Sequence, residues 1–438
     1  MAEAVTLLVF ALMLLGCVVT DISVLYALVG GLACFSIYTL YNKYTVTQLG
    51  KMLWKGVKDS RTILVVFVLI GFLTALWRAA GTIPCIVYYS ASSMAPRYYL
   101  VLTFLLCCGM SALTGTSFGT ASTMGVICAS IGRALNVPSV LIGGAVMSGI
   151  YFGEQCSPMS SSALLVCELT DTNIYAIISR VWGYVLVPMA VSAALYLYLG
   201  RNWGSVATQV ESAGIFASAF NLNLVTLLPA GIIIVFSIFR TRVELTMLVS
   251  TAAAAVICMV YQGMGVAQVV DVMIRGYHAG EPRLAELMDG GGLYSMVSIG
   301  AIVAISSAYF GIFSSTGLLS NLKQWVLDLA HRSNVFFATV VVSFITCAIS
   351  CNQTLATMLT CEMTRKLVKK KEDLAVNLET SVIVIAGLLP WSIACAFPLS
   401  VVEAPKQSLL YAFYLYLVPL WMMMRSFGRK RRDGAGGS

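Results

Sequence analysis

Val181-Trp-Gly-Tyr-Val-Leu-Val-Pro-Met-Ala-Val-Ser-Ala-Ala-Leu-Tyr-Leu-Tyr-Leu-Gly200 runs for twenty residues without one charged side chain. A helix crossing the hydrocarbon core of a bilayer needs about 20 mostly apolar residues. Stretches of the same kind recur at 61–77, 98–113, 222–239, 243–262, 334–350 and 406–424. Only 11% of the 438 residues are charged, against roughly 25% in a soluble domain, and the mean hydropathy is +0.88. Soluble enzymes, fibrous chains, disordered chains and DNA-binding modules are excluded. An outer-membrane barrel is excluded too, since its strands would alternate in polarity over about 10 residues. The fold class expected is an all-α polytopic membrane protein with about ten to twelve transmembrane segments.

The net charge of +8 is concentrated in short runs. Lys43, Lys51, Lys55, Lys58 and Arg61 form the first; Arg365, Lys366, Lys369, Lys370 and Lys371 the second; Arg425, Arg429, Lys430, Arg431 and Arg432 the third. Short basic loops beside membrane spans stay in the cytoplasm. Two spans (1–20 and 22–41) precede the first run, and two (376–396 and 407–424) separate the second from the third. All three runs then share one side, with both termini cytoplasmic in a plasma-membrane protein. Lipid is the partner these runs imply, and no nucleic acid. The thirteen cysteines include no CxxC pair, and His278 and His331 are the only histidines, so no clustered metal site is expected.

An internal repeat is expected. Leu76-Trp-Arg-Ala-Ala-Gly-Thr82 resembles Ile312-Phe-Ser-Ser-Thr-Gly-Leu318 at an offset of 236, and 35 residues beyond each glycine the apolar pattern is interrupted by polar residues. A third match pairs Gly149 and Ser157-Pro-Met-Ser160 with Gly387 and Phe397-Pro-Leu-Ser400, its offset drifting to 238 and then 240. The expected organisation is a first span at 1–21, repeat 1 at 22–200, a connector and linking helix at 201–239, repeat 2 at 240–424 and a basic tail at 425–438. A soluble-looking stretch at 263–297 is read as a loop with an interfacial helix.

Four breaks interrupt the apolar segments, at about 114–120, 155–161, 350–354 and 396–405. Free backbone groups inside a membrane persist only where protein or a water-filled site satisfies them. Ser157-Pro158, followed by Ser160, and Asn352, followed by Gln353 and Thr354, read as helix starts. Such a start offers free N–H groups and about +0.5 of charge to an anion, while unwound carbonyls and hydroxyls suit a hard cation such as Na+. Thr116, Ser117, Thr120, Asn352, Gln353 and Thr354 could supply oxygens. Small residues also serve helix packing, but four breaks at matched positions favour a site. Among acids, which are rare within membranes, Glu154 leads because it ends an apolar run next to a break. Glu403 holds the corresponding place in the second half. Glu168 and Asp171 read as a polar loop, and Arg78 either snorkels or balances an anion.

Ile70-Gly-Phe-Leu-Thr-Ala-Leu-Trp-Arg-Ala-Ala-Gly-Thr-Ile-Pro84, Thr114-Gly-Thr-Ser-Phe-Gly-Thr120, Ser148-Gly-Ile-Tyr-Phe-Gly-Glu-Gln-Cys-Ser-Pro-Met-Ser160 and Cys351-Asn-Gln-Thr-Leu-Ala356 together resemble the NhaC family of Na+/H+ antiporters. The resemblance spans about 60–405. It implies inverted repeats, broken helices near the midplane, elevator-like movement, and cargo that is Na+ and H+ or, in some members, malate and lactate. The family pattern places a second acid where this chain has Ser161, and a lysine where it has Gln155. That departure weakens plain Na+/H+ exchange and leaves room for an organic anion or zwitterion. The function expected is cation/proton antiport by alternating access, with coupled transport of a small carboxylate or amino acid as the alternative, and no enzyme. A channel or intramembrane enzyme is the remote alternative. Na+ candidates are Ser117, Glu154, Asn352 and Thr354. No cofactor is expected beyond Na+ and H+ as coupling ions, and a homodimer is the assembly to test.

Overall fold

The structure is a computed structural model, described for all residues except 1, 21–23, 60, 94–95, 202–219, 240, 281–284, 286–287, 317–333 and 436–438. Residues 202–219 of the expected connector, the Gly317 match and His331 therefore lie outside the described residues. Among those described, the regular elements are helices, and the only β pairing is the single Tyr277–Gly290 bridge. The chain is an all-α polytopic membrane protein.

Its outer surface suits hydrocarbon. Leu8, Ile37, Tyr198, Val256 and Phe344 are each more than half exposed, in a chain with too little charge to cover such a surface with water-facing groups. Inside, several bulky side chains with polar tips are buried and satisfied. Trp77 Nε1 donates to Ser250 Oγ at 3.0 Å, Tyr99 to the Cys128 carbonyl at 2.6 Å, and Tyr151 to the Ala394 carbonyl at 2.8 Å. In a low-dielectric interior an unpaired hydroxyl or indole N–H would cost about 1–3 kcal/mol.

Ile174–Gly200 and Gly292–Tyr309 are each long and apolar enough to cross a membrane, and Lys371–Leu388 with Ile393–Val401 forms a bent pair at 57°. Seven further apolar helices are shorter, at 10–17 residues. Several of them are halves of interrupted segments. Within 263–297 the expected helix is Val266–Arg275.

Two pieces of the chain share their element boundaries. Tyr99–Thr114 and Val335–Ser350 are both 16-residue helices. Each ends in a left-handed residue, Gly115 (φ 69°) or Cys351 (φ 54°), and each is followed by an extended capping residue, Thr116 or Asn352. The offset is 236 throughout. Ser139–Cys156 then corresponds to Lys371–Leu388 at an offset of 232, as do the caps Ser160 and Ser392 and the left-handed Asp171 and Glu403. The offset of 238–240 expected for this third match is thus corrected. Pro158 lies in a turn whereas Pro398 lies within the Ile393–Val401 helix, so aligning the prolines shifts the register. For the same reason the break expected at 396–405 is helical up to Val401 and non-helical only over 402–405, while the break that corresponds to the second one lies at 389–392. The two corresponding 18-residue helices run antiparallel: Gln155 reaches the Glu379 carbonyl, and four residues earlier the Tyr151 ring lies against Gly387.

Candidate functional site

Each break is built from a helix end, a short extended piece and a capped helix start. At the first, Thr116 Oγ1 accepts the Gly119 N–H at 3.1 Å, opening a helical run over 117–134 that contains one π turn, Ala121–Gly125. At the second, Ser160 Oγ accepts the Ala163 N–H at 3.1 Å and donates to the Glu154 carbonyl at 2.6 Å. At the third, Asn352 Oδ1 accepts from Thr354 at 2.9 Å and Leu355 at 3.4 Å. Short polar side chains suit these places because the first N–H groups of a helix lack backbone partners. Gly115 is required by two constraints at once. Its φ of +69° disfavours a side chain, and a Cβ there would lie 2.5 Å from the Met159 carbonyl carbon. The first and second breaks therefore touch backbone to backbone.

The first and third breaks, with the helix that follows the second, meet at one cavity of about 730 Å³. Thr116, Ser117, Glu154, Asn352, Gln353 and Thr354 line it, as the sequence suggests, and Ser161, Ser162, Glu168 and Glu244 complete its polar wall. Glu154 is only 4% exposed. One carboxylate oxygen accepts the Ser117 N–H at 2.8 Å, and the other accepts the Ser162 hydroxyl. The same hydroxyl lies 3.3 Å from Gln353 Oε1, and Gln353 Nε2 donates to the Ile383 carbonyl at 3.0 Å. Glu154 is thus gripped by one helix start and linked through one serine to another. The carboxylate faces donors rather than an apolar wall.

Four expected site residues fall elsewhere or act differently. Thr120 is buried in its own helix, bonding Thr114 Oγ1 at 3.0 Å and the Thr116 carbonyl at 2.8 Å. Ser157 follows the Ser139–Cys156 helix and accepts the Met159 N–H at 3.3 Å, so the helix start is at Ser160, three residues beyond the expected Ser157-Pro158. Ser160 caps and does not line the cavity. Glu403 is also remote from the cavity: it pairs with Arg78 and, at 3.1 Å, with Arg133. Arg78 is 3% exposed and so does not snorkel. Glu168, expected in a loop, belongs to the Ser161–Thr170 helix and lines the cavity, whereas Asp171 is in the turn beyond, paired with Lys371. Sequence reasoning missed Ser162 and Glu244. Ser162 had a visible signal, the serine run after the second break; Glu244 had none.

Every charged residue lining the cavity is acidic: Glu154, Glu168 and Glu244. The acid absent at Ser161 does not leave a site poor in carboxylates. Such a lining concentrates cations.

A model of the Na+/H+ antiporter family matches residues 2–201 and 149–426. The chain is 25% identical over 405 residues to the Na(+)/H(+) antiporter NhaC of Alkalihalophilus pseudofirmus, covering 89% of this chain and 88% of that one. It is 25% identical over 361 residues to the malate-2H(+)/Na(+)-lactate antiporter of Bacillus subtilis (80% and 77% covered). With the arginine/ornithine antiporter ArcD of Halobacterium salinarum it shares 26% identity over 379 residues (83% and 78%). With matches across nearly its whole length, this chain belongs to the Na+/H+ antiporter family, of the NhaC type: a membrane antiporter and not an enzyme.

Proposed function

We propose that the cavity between the broken helices is the shared site for Na+ and H+, with Glu154 holding one or the other in turn. The observation that carries this reading is the all-acidic charged lining around a carboxylate already fixed by two donors. Ser162 Oγ and Gln353 Oε1 are the neutral oxygens best placed to complete a cation shell. Thr116 and Asn352 are occupied as caps, so they position the site, and Thr354 contributes through its place on the cavity wall. When Na+ enters, it takes the charge of Glu154 and the proton leaves; when a proton returns, the neutral carboxyl no longer holds Na+.

Alternating access by two inverted repeats, 22–200 and 240–424, is the movement we infer. The matched helix boundaries and the antiparallel course of Ser139–Cys156 and Lys371–Leu388 support it. Glu168 lines the cavity, and its helix ends at Asp171, which pairs with Lys371 of a basic run assigned to the cytoplasm. The Arg78–Glu403–Arg133 cluster would close the opposite side. In this reading the protein works in the cell membrane with both termini cytoplasmic.

The cavity volume favours a second reading. About 730 Å³ is in the range that holds small organic ligands, and its acids would suit a cationic amino acid, the kind of cargo one relative is named for. Purified protein in liposomes with an internal pH dye separates the two when challenged in turn with Na+, Li+, K+, carboxylates and amino acids. Proton movement driven by Na+ alone supports the first reading; a strict need for an organic cation supports the second. Glu154→Gln removes a charge worth about 4 kcal/mol to a cation 4 Å away at an effective dielectric constant of 20, or roughly 1,000-fold in affinity. It should abolish proton-coupled transport. A variant with the parent's Na+ dependence and pH profile would overturn the assignment of Glu154.

A further inference from the structure

The helices Arg61–Ala79 and Val243–Val260 run side by side in the same direction. Val65 and Leu69 of the first share a groove with Leu245 and Leu248 of the second. Farther along, Cys258 Sγ lies 3.9 Å from the Leu76 carbonyl, and Gln262 Nε2 donates to the Ala80 carbonyl at 3.1 Å. Both helices therefore start at the same end, the one where the groove lies. Its volume is about 780 Å³, and Arg242 and Glu244 complete its lining. Val65, Leu245 and Leu248 are 44%, 49% and 53% exposed, so in a membrane this surface is covered by acyl chains.

Ordinary boundary lipid needs nothing more than that apolar surface. This groove also carries charge at its head. Arg242 directly precedes the second helix and is exposed; Arg61 opens the first, one turn before Val65 on the same face, and is exposed too. Neither guanidinium has a partner among the described residues. The start at Val243 has no side-chain cap, which leaves its first N–H groups open. Glu244, in the first turn, is half-buried and likewise unpaired among the described residues. A base and an acid two residues apart thus stand over an apolar trough.

Three common headgroups meet this pattern differently. Phosphoglycerol suits the arginines, since guanidinium binds phosphate through paired N–H donors, but it offers Glu244 no cation. Phosphocholine brings a cation whose methyl groups shield it from the carboxylate. Phosphoethanolamine brings the phosphate and also an ammonium with three N–H donors. We propose that the groove is a binding site for phosphatidylethanolamine, with the phosphate on Arg242 and Arg61 beside it, the ammonium on Glu244, and an acyl chain along Val65, Leu69, Leu245 and Leu248. Glu244 lines the acidic cavity as well as the groove, so the bound ammonium pairs with one of that cavity's three acids.

The test is native mass spectrometry of the detergent-purified protein, titrated with phosphatidylethanolamine, phosphatidylglycerol and phosphatidylcholine of matched chains, singly and in competition. One phosphatidylethanolamine should be held more tightly than either rival by roughly two- to fivefold, the range of a partly exposed ion pair. Glu244→Gln should erase the preference over phosphatidylglycerol, Arg242→Gln should weaken both lipids by a similar factor, and Leu248→Trp, which fills the trough without touching a charge, should weaken all three. Size exclusion checks that each variant folds. A parent that holds the three lipids alike, unchanged by Arg242→Gln, has boundary lipid only and overturns the proposal. A parent that prefers phosphatidylglycerol, and does so equally in Glu244→Gln, overturns the role of Glu244 and with it the choice of lipid. Should Glu244→Gln fail to fold, stepwise N-methylation of the lipid answers on the parent protein: retention should fall as N–H donors are lost, and retention indifferent to methylation overturns the proposal.

Discussion

Ser117 grips Glu154 by its backbone N–H and not by its hydroxyl, which makes an unusual pair of substitutions informative. The distance is 2.8 Å, and Ser117 is the first residue of the 117–134 helical run, directly after the cap Thr116. A proline at a first helical position removes an N–H that the helix does not use. It also requires an extended preceding residue, and Thr116 has φ −135° and ψ 130°. Ser117→Pro therefore keeps the helix start and deletes one donor to a carboxylate, whereas Ser117→Ala keeps the donor and deletes the hydroxyl. A hydrogen bond to a charged group contributes about 1.5–3 kcal/mol, or roughly 10- to 150-fold. Without that donor the carboxylate is held less firmly in place for Na+. The apparent Na+ affinity of transport should fall by roughly that factor in Ser117→Pro, and by much less in Ser117→Ala. The assay is dye-monitored exchange in proteoliposomes across a Na+ series, with folding checked by size exclusion and thermal melting. A folded Ser117→Pro protein with the parent's Na+ affinity would refute the reasoning, as would a loss equally large in Ser117→Ala.

Glu403→Gln leaves the buried Arg78 without its counter-charge. Breaking such a pair costs about 3–5 kcal/mol, and the lower end applies because the Glu403 side chain is 38% exposed; thermal melting should show it, while Na+ affinity from the cavity side stays near the parent's. Gly115→Ala meets both the left-handed backbone and the Met159 carbonyl, and should lower stability by at least about 1–3 kcal/mol and transport with it; a variant as stable and active as the parent would show that the first two breaks are not in contact. Lys371 donates to Asp171 and holds its carboxyl below the usual carboxylate range. A lowered folded value adds stability above the unfolded value that is lost as pH falls through the folded one, so Asp171→Asn should melt earlier than the parent at neutral pH and alike in strong acid, with the difference shrinking in high salt.

Local chemistry made much of this legible. Asn352 was readable as a cap because capping depends on one short side chain and the two N–H groups after it. Thr116 and Gly115 were readable as an interruption because polar, flexible residues have no other reason to sit together inside an apolar run. The helix start after the second break was misplaced at Ser157-Pro158, because proline fits a turn as well as a first helical position. Serine three residues on does the capping. The same ambiguity misplaced the fourth break, where Pro398 is tolerated within a helix and Ser392 marks the true start. The first offset, 236, needed no proline and matches the helix boundaries.

The acids show where sequence reading stops and why. Glu154 stood out because it alone followed an apolar run into a break. Glu244 sits among polar neighbours, in Thr241-Arg-Val-Glu-Leu245, and nothing in composition or period distinguishes such an acid at a membrane surface from one facing a cavity. Glu403 failed for the converse reason. Its place in the repeat was taken from the proline alignment, which set it against the second break. The helix ends set it against Asp171 instead. That correspondence has a physical consequence. Both residues occupy the left-handed position just beyond a short helix, and both bind cations, Asp171 to Lys371 and Glu403 to Arg78 and Arg133. The two short helices thus each end in an acid held by basic side chains, but the first pair is exposed and the second packs around a buried arginine. A pair open to water costs little to separate, while one built on a buried charge costs several kcal/mol. A rearrangement that separated either pair would therefore meet most of its cost at the buried arginine.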